Sequence, residues 1–244
     1  MHKIPTYLEL VRLTRNNPSA VELALAETHK QYGDEADALR MGNHHHPVSI
    51  KQCEARYIYN FIKRHNLTAG YEVATAFGVS GLYAALAFKE TGGLLVTMDC
   101  YIEEHFNEAT AYTPANRGDY SPSADGKKSA LFLRDHFDVP MEIKVGWSPD
   151  DVPNVMEDYS MWEYGIDYVF IDAMHNDDAV IADFDAIAPR LNKDKFVLMI
   201  HDLHCFTSRA IDHIQSTLGL PIKLCDGCGL PRGYNLSMAT NIGS

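Results

Sequence analysis

Beyond residue 65 the chain alternates short apolar runs with longer segments of helical spacing. Runs at Tyr71 to Thr75, Leu94 to Asp99, Met141 to Val145, Tyr168 to Asp172, Phe196 to His201, Ile222 to Cys225 and Tyr234 to Ala239 have strand length. The near-continuous apolar character of the fourth and fifth is that of strands buried on both faces of a parallel sheet. Amphipathic stretches at about 80–91, 127–137, 177–190 and 207–218 separate most of them. Parallel neighbours need crossover connections, so this alternation predicts a Rossmann-like, doubly wound α/β fold with a seven-stranded, mostly parallel sheet. Only Asp226 to Gly233 joins the last two strands, too few residues for a helical crossover, and these are expected to form an antiparallel C-terminal hairpin.

Ahead of the alternation, Ala55, Ile58 and Ile62 mark an amphipathic helix ending near His65. Helical spacing also runs through Tyr7 to Arg15 and Ser19 to about Arg40, the second opening with Ser19 and Glu22 as a capping box. This organisation predicts an N-terminal helical cap over 1–46 and a catalytic α/β domain over 47–244. Tyr101 to Lys128 has no sustained period and is rich in Pro, Gly, Asn, Ser, Tyr and acidic residues. So long an irregular segment after the second strand reads as a lid insertion at about 101–126.

Composition narrows the function. Thirty-three acidic against 21 basic residues give a net charge of −12, which argues against a nucleic-acid surface and for a small-molecule substrate. No stretch approaches the roughly 20 apolar residues that span a bilayer, and the N-terminus lacks a secretory apolar core, so a cytoplasmic protein without membrane partners is expected. Five cysteines at 53, 100, 205, 225 and 228 read as reduced thiols. Cys225 and Cys228 have CxxC spacing without a second pair to complete a zinc site. His44 to His46 reads as a solvated turn, with an imidazole reaching over the active site as the alternative.

The fourth and fifth apolar runs end abruptly in Asp172, His175, His201, Asp202 and His204. Ligands bind at the carboxyl ends of strands in open parallel sheets, and five ionisable groups there mark a candidate active site. A second signal is Glu72-Val-Ala-Thr-Ala-Phe-Gly-Val-Ser-Gly81, joining the first strand to a helix. Small residues at 74, 76, 78 and 81 let the backbone turn beside a ligand, and Ser80 can cap the helix. The next strand ends in Asp99, about twenty residues on, where an acid accepts hydrogen bonds from a ribose.

With these residues the chain resembles class I S-adenosylmethionine-dependent methyltransferases, in particular the small-molecule O-methyltransferase branch of methyltransferase-24 type, over roughly residues 47 to 240. The resemblance implies S-adenosylmethionine as cofactor, held by Glu72, Ala74, Thr75, Phe77, Gly78, Ser80, Asp99 and Asp172, with Gly146, Trp147 and Ser148 on the adenine side. It departs from the family where Ala74 and Ala76 replace glycines, a change that costs little at negative φ and clashes at positive φ. Asp172-Ala-Met-His175 resembles the Asp-x-x-His element of metal-dependent O-methyltransferases, which implies Asp172 as a cation ligand and His175 as general base. His201-Asp202 stands where that group carries an acidic pair, so the metal set implied is Asp172, His201 and Asp202, with His175, His201 and Asp202 as catalytic residues.

Methyl transfer needs a deprotonated oxygen, which a divalent cation and a neutral imidazole can supply. Imidazole in place of a carboxylate favours manganese, iron or zinc over magnesium. The bland alternative has His201 turned into the fold, His175 capping the next helix and Asp202 bonding backbone amides. Asp177, Asp178 and Asp183 read as acids of that helix's early turns. Tyr101, Phe106, Tyr112, Tyr120 and Trp147 could wall an acceptor. The leading expectation is O-methylation of a small hydroxylated metabolite. A metal-dependent hydroxylase- or hydrolase-like enzyme on the same fold, a non-catalytic cofactor-binding protein, and self-association as a homo-oligomer are left open.

Overall fold

The computed structural model describes residues 4–6, 9, 10, 13, 50–100, 123–159, 162, 164–225 and 236–243. The expected His44 to His46 turn, most of the N-terminal helical cap, residues 101–122 of the expected 101–126 lid with Tyr101, Phe106, Tyr112 and Tyr120, and Cys228 lie outside them.

The elements are α1 (Gln52–Arg64), β1 (Ala69–Val73), α2 (Val79–Thr91), β2 (Leu94–Asp99), α3 (Ser123–Phe137), β3 (Met141–Val145), α4 (Val152–Glu157), β4 (Tyr168–Ile171), α5 (Asp177–Ile187), β5 (Val197–Ile200), α6 (Ser208–Leu218), β6 (Lys223–Leu224) and β7 (Ser237–Thr240). They form a seven-stranded sheet in the order β3-β2-β1-β4-β5-β7-β6. The first five strands pair in parallel, and β7 runs antiparallel to both β5 and β6. The fold is thus the doubly wound, Rossmann-like one expected, with its antiparallel C-terminal pair. Helix α3 opens at Ser123, earlier than the expected 127, and the short α4, which the sequence reading did not contain, starts with Pro153 in its first turn.

Period-2 alternation sorts the central strands onto two cores. Tyr168 and Phe170 of β4 and Met199 of β5 pack with α1, α2 and α3. Val169, Ile171, Leu198 and Ile200 pack on the other face with α4, α5 and α6. Helix α2 is buried from Val79 to Phe88, which is why it shows no polar face. Near the N-terminus, Thr6 and Glu9 form a capping box, the Thr6 N–H donating to Glu9 Oε2 at 2.7 Å and the Glu9 N–H to Thr6 Oγ1 at 3.1 Å. The segment is tied to the body by buried Leu10 and by Tyr83, whose hydroxyl donates to the Pro5 carbonyl at 2.6 Å. Among the described residues no helix is long and apolar enough to cross a membrane.

Strand order reverses between β1 and β4, so their carboxyl ends splay apart at a switch point. Both sequence signals fall on that rim.

Candidate active site

After β1 the backbone reverses through Ala74 to Gly78. The Ala74 and Thr75 N–H groups both donate to the Met98 carbonyl, at 2.8 and 3.3 Å, and the Gly78 N–H closes the turn on the Thr75 carbonyl at 2.7 Å. This requires positive φ at Ala74 (72°), Ala76 (44°) and Gly78 (78°). The two alanines that replace glycine therefore stand where a Cβ is strained, at about 1–2 kcal/mol each. At Gly78 a Cβ would come within 2.7 Å of Ala130, so α3 closes on the turn only because that residue is glycine.

The Ala76 N–H donates to Asp99 Oδ2 at 2.8 Å, fixing at the end of β2 the carboxylate expected to meet a ribose. The Gly146 N–H donates to the Asp99 carbonyl at 3.0 Å, and the Trp147 N–H to Asp151 Oδ2 at 2.7 Å, so the 146–148 segment lies beside this acid. The Ser148 hydroxyl is directed at Asp183 Oδ1, 2.5 Å away. Asp183 is not an early-turn acid as expected but a buried one halfway along α5, its carboxyl pushed up to about 6 by burial despite the Ser148 bond. Ser80 does not cap α2. Gly78 holds that position, and the Ser80 hydroxyl donates to Glu72 Oε1 at 2.5 Å. Glu72 is buried and pushed up to about 7 by burial, and among the described residues its Oε2 has no well-directed hydrogen bond. Thr75 Oγ1 meets Thr97 Oγ1 at 2.7 Å, and Phe77 is a core side chain whose carbonyl accepts from Ser129.

At the chemical end the sheet ladder continues past the strands. The Asp172 N–H donates to the Val73 carbonyl and the His201 N–H to the Ile171 carbonyl, bringing Asp172, His201 and Asp202 to one place on the rim. Asp202 takes a left-handed φ of 52°, a conformation that Asp tolerates better than most residues. His175 Nε2 lies 3.1 Å from Asp202 Oδ2 and 3.6 Å from Asp172 Oδ1. One donor atom from each of Asp172, His175 and Asp202 falls within 4.8 Å of the others, a set that could hold a metal ion.

His201, expected as a ligand, is not among the three residues with donor atoms grouped within 4.8 Å. It is buried, with Nε2 3.3 Å from Glu54 Oε2 and Nδ1 3.2 Å from Asp172 Oδ1 and 3.4 Å from Asp202 Oδ2. The ring lies between Glu54 and the two carboxylates, and among the described residues the imidazole with a donor atom grouped within 4.8 Å of theirs is His175. Nor does His175 cap α5, a place taken by Asn176, whose side chain accepts the Ala179 N–H at 2.9 Å. The side chain of His204 lies outside the described residues.

Glu54 was missed, although the sequence held a signal: an acid on the apolar face that Ala55, Ile58 and Ile62 mark on α1. The electrostatics follow from the packing. Burial works against the His201 cation, but the Asp172 and Glu54 carboxylates outweigh it and hold its pKa well above the usual imidazole range. Burial likewise opposes a charged His175, and its contacts with Asp172 and Asp202 overcome this to push it up to about 9. Burial would raise Asp172 and Asp202, yet the adjacent imidazoles keep both below the usual carboxylate range. A neutral His175, as a base requires, is thus disfavoured near neutral pH unless a cation takes up the carboxylates' charge.

Residues 71–203, which span the turn, Asp99 and the whole cluster, match the family described as a methyltransferase domain. Comparison with curated protein sequences gives no match. Among solved structures, the O-methyltransferase TomG from Streptomyces achromogenes, involved in tomaymycin synthesis and seen with S-adenosylmethionine, superposes with a TM-score of 0.56 at 15% identity, covering 96% of each chain. The Podospora anserina methyltransferase PaMTH1, bound to S-adenosylhomocysteine, gives 0.56 at 12% identity over 98% of this chain and 88% of its own. A Bacillus cereus O-methyltransferase with S-adenosylhomocysteine gives 0.52 at 14% identity over 96% and 99%. At such identities these likenesses show the fold, while the family match runs through the residues of the site. The chain belongs to the methyltransferase-domain family, S-adenosylmethionine-dependent methyltransferases of the class I fold.

Proposed function

We propose that this enzyme methylates an oxygen of a small hydroxylated metabolite, with a divalent cation held by Asp172, His175 and Asp202. The observation that carries the reading is the approach of those three donor atoms to within 4.8 Å at the carboxyl ends of β4 and β5. Two carboxylate oxygens and one imidazole nitrogen are a donor set suited to manganese, iron or zinc. When bound, such an ion would supply the Lewis acidity that lowers the pKa of an acceptor hydroxyl. The chain's own residues do the rest. Asp99, held by the Ala76 N–H, offers its carboxylate to a ribose diol, and the 74–78 turn and the 146–148 segment flank it. Neighbours acting in O-methylation, and bound to S-adenosylmethionine or its product, support the same assignment.

The acceptor hydroxyl would give up its proton to water, and its oxygen would attack the methyl carbon as the carbon–sulfur bond breaks, giving the methyl ether and S-adenosylhomocysteine. Placing two reactants in line contributes much of such an acceleration, since the sulfonium is already a good leaving group. Chelation should abolish turnover of a hydroxylated acceptor while leaving S-adenosylmethionine affinity intact, and Asp202→Ala should reproduce the chelated state. Turnover that survives exhaustive chelation refutes the cation. His175→Ala should lose metal binding if His175 is a ligand. Retained metal with turnover slowed about 10²–10⁴-fold assigns it as the general base instead.

A further inference from the structure

Glu54 lies in the first turn of α1, on the face that α1 turns to the core, and is 1% exposed. A carboxylate so placed costs several kcal/mol unless it is paired. Its Oε2 accepts the Lys51 N–H at 2.8 Å and stands 3.3 Å from His201 Nε2. The opposite edge of the same ring places Nδ1 3.2 Å from Asp172 Oδ1 and 3.4 Å from Asp202 Oδ2. Those two oxygens are the ones that face His175 Nε2, at 3.6 and 3.1 Å. A continuous line therefore runs from the first turn of α1 through one rigid ring to both carboxylates of the rim. Among the described residues Nδ1 makes no well-directed hydrogen bond, which leaves the Nε2 contact with Glu54 as the directed one on this ring. The terminal torsion of histidine is broad, so a directed partner at Nε2 can set it.

We propose that Glu54 is a positioning residue for the active site: by gripping His201 Nε2 it sets the imidazole plane, and through it the directions in which Asp172 and Asp202 present their oxygens. This rests on the reading of Asp172, His175 and Asp202 as a metal-binding set. The helix that precedes the sheet, outside the 71–203 match, thus forms part of the catalytic apparatus. Partners behind ligating groups commonly alter metal affinity by about 10–100-fold when removed.

The test is Co²⁺ binding to the metal-free protein, followed by its visible ligand-field absorption, in the parent and in Glu54→Gln. The glutamine keeps the size and an oxygen to accept the Lys51 N–H, but removes the negative charge that holds His201 Nε2. Co²⁺ affinity should fall about 10–100-fold and the band should change, while S-adenosylmethionine affinity stays near the parent's. Glu54→Asp, which keeps the charge but retracts the carboxylate, should weaken Co²⁺ as well and serves if the glutamine variant does not fold. A folded variant with the parent's Co²⁺ affinity and spectrum overturns the proposal. If the parent takes up no Co²⁺, the metal reading fails, and positioning is then decided by the ring ¹⁵N resonances of His201. They must move in Glu54→Gln, and unmoved resonances overturn the role.

Discussion

Asp183 shows how a residue can be legible in type and not in place. Its charge and its position in a helical stretch suggested a solvated early-turn acid, but α5 begins at Asp177 and turns Asp183 inward beneath Ser148. Its pKa near 6 against an ordinary 3.8 fixes the sign of a pH effect. The folded state holds this proton more tightly than the unfolded chain, so the contribution is full below pH 3.8 and is lost as pH rises through about 6. Asp183→Asn, which remains an acceptor for Ser148, should stabilise the protein near neutral pH by roughly 1–3 kcal/mol and flatten the decline. Urea unfolding at pH 4.5 and 7.5 checks this, and a variant no more stable than the parent at the higher pH refutes it. His201 and Glu54 repeat the lesson. Both residue types were visible, but neither could be assigned a direction until α1 was packed against the end of β5.

Among the elements, the turn from Ala74 to Gly78 carries the local strain. Its tightness was legible from the small residues, and the cost of its alanines became definite only with φ of 72° and 44°. Glycine at either site removes about 1–2 kcal/mol of strain and returns about 0.4–1 kcal/mol to the unfolded chain. Ala74→Gly and Ala76→Gly should each therefore stabilise by up to about 1.5 kcal/mol, whereas glycine at an ordinary helix or strand position destabilises by about 0.5–1 kcal/mol. A loss of that ordinary size in chemical denaturation shows the turn to be unstrained. The capping box at Thr6 and Glu9 was also present in the sequence, since Thr-x-x-Glu stands directly before the helical stretch that was expected from Tyr7.

At the scale of the molecule, the reversal of strand order between β1 and β4 sets the 74–78 turn and the acidic cluster on one rim. Asp99 stands one strand away, held by the Ala76 N–H. A ribose diol bound by this carboxylate would lose charge-assisted hydrogen bonds worth roughly 1.5–3 kcal/mol each on Asp99→Ala. S-adenosylmethionine affinity measured by calorimetry should drop at least about tenfold, since 1.4 kcal/mol is one decade. A folded variant with unchanged affinity removes Asp99 from the cofactor site.

The sequence by itself determined the alternation, the sheet class, the antiparallel pair at its end and the rim on which chemistry collects, because these follow from periodicity, connection length and where apolar runs stop. It placed Asp172, His175, His201 and Asp202 together, since residues that end neighbouring parallel strands must converge. Only the tertiary structure decided how the two imidazoles stand against the carboxylates, with a His175 donor atom grouped with theirs and His201 buried between them and Glu54. It alone brought Glu54 to the site from a helix about 150 residues away in the chain, 147 positions from His201. Periodicity fixes the face on which a side chain lies, whereas its direction and partners depend on elements distant in sequence, and the site's electrostatics reside in those contacts.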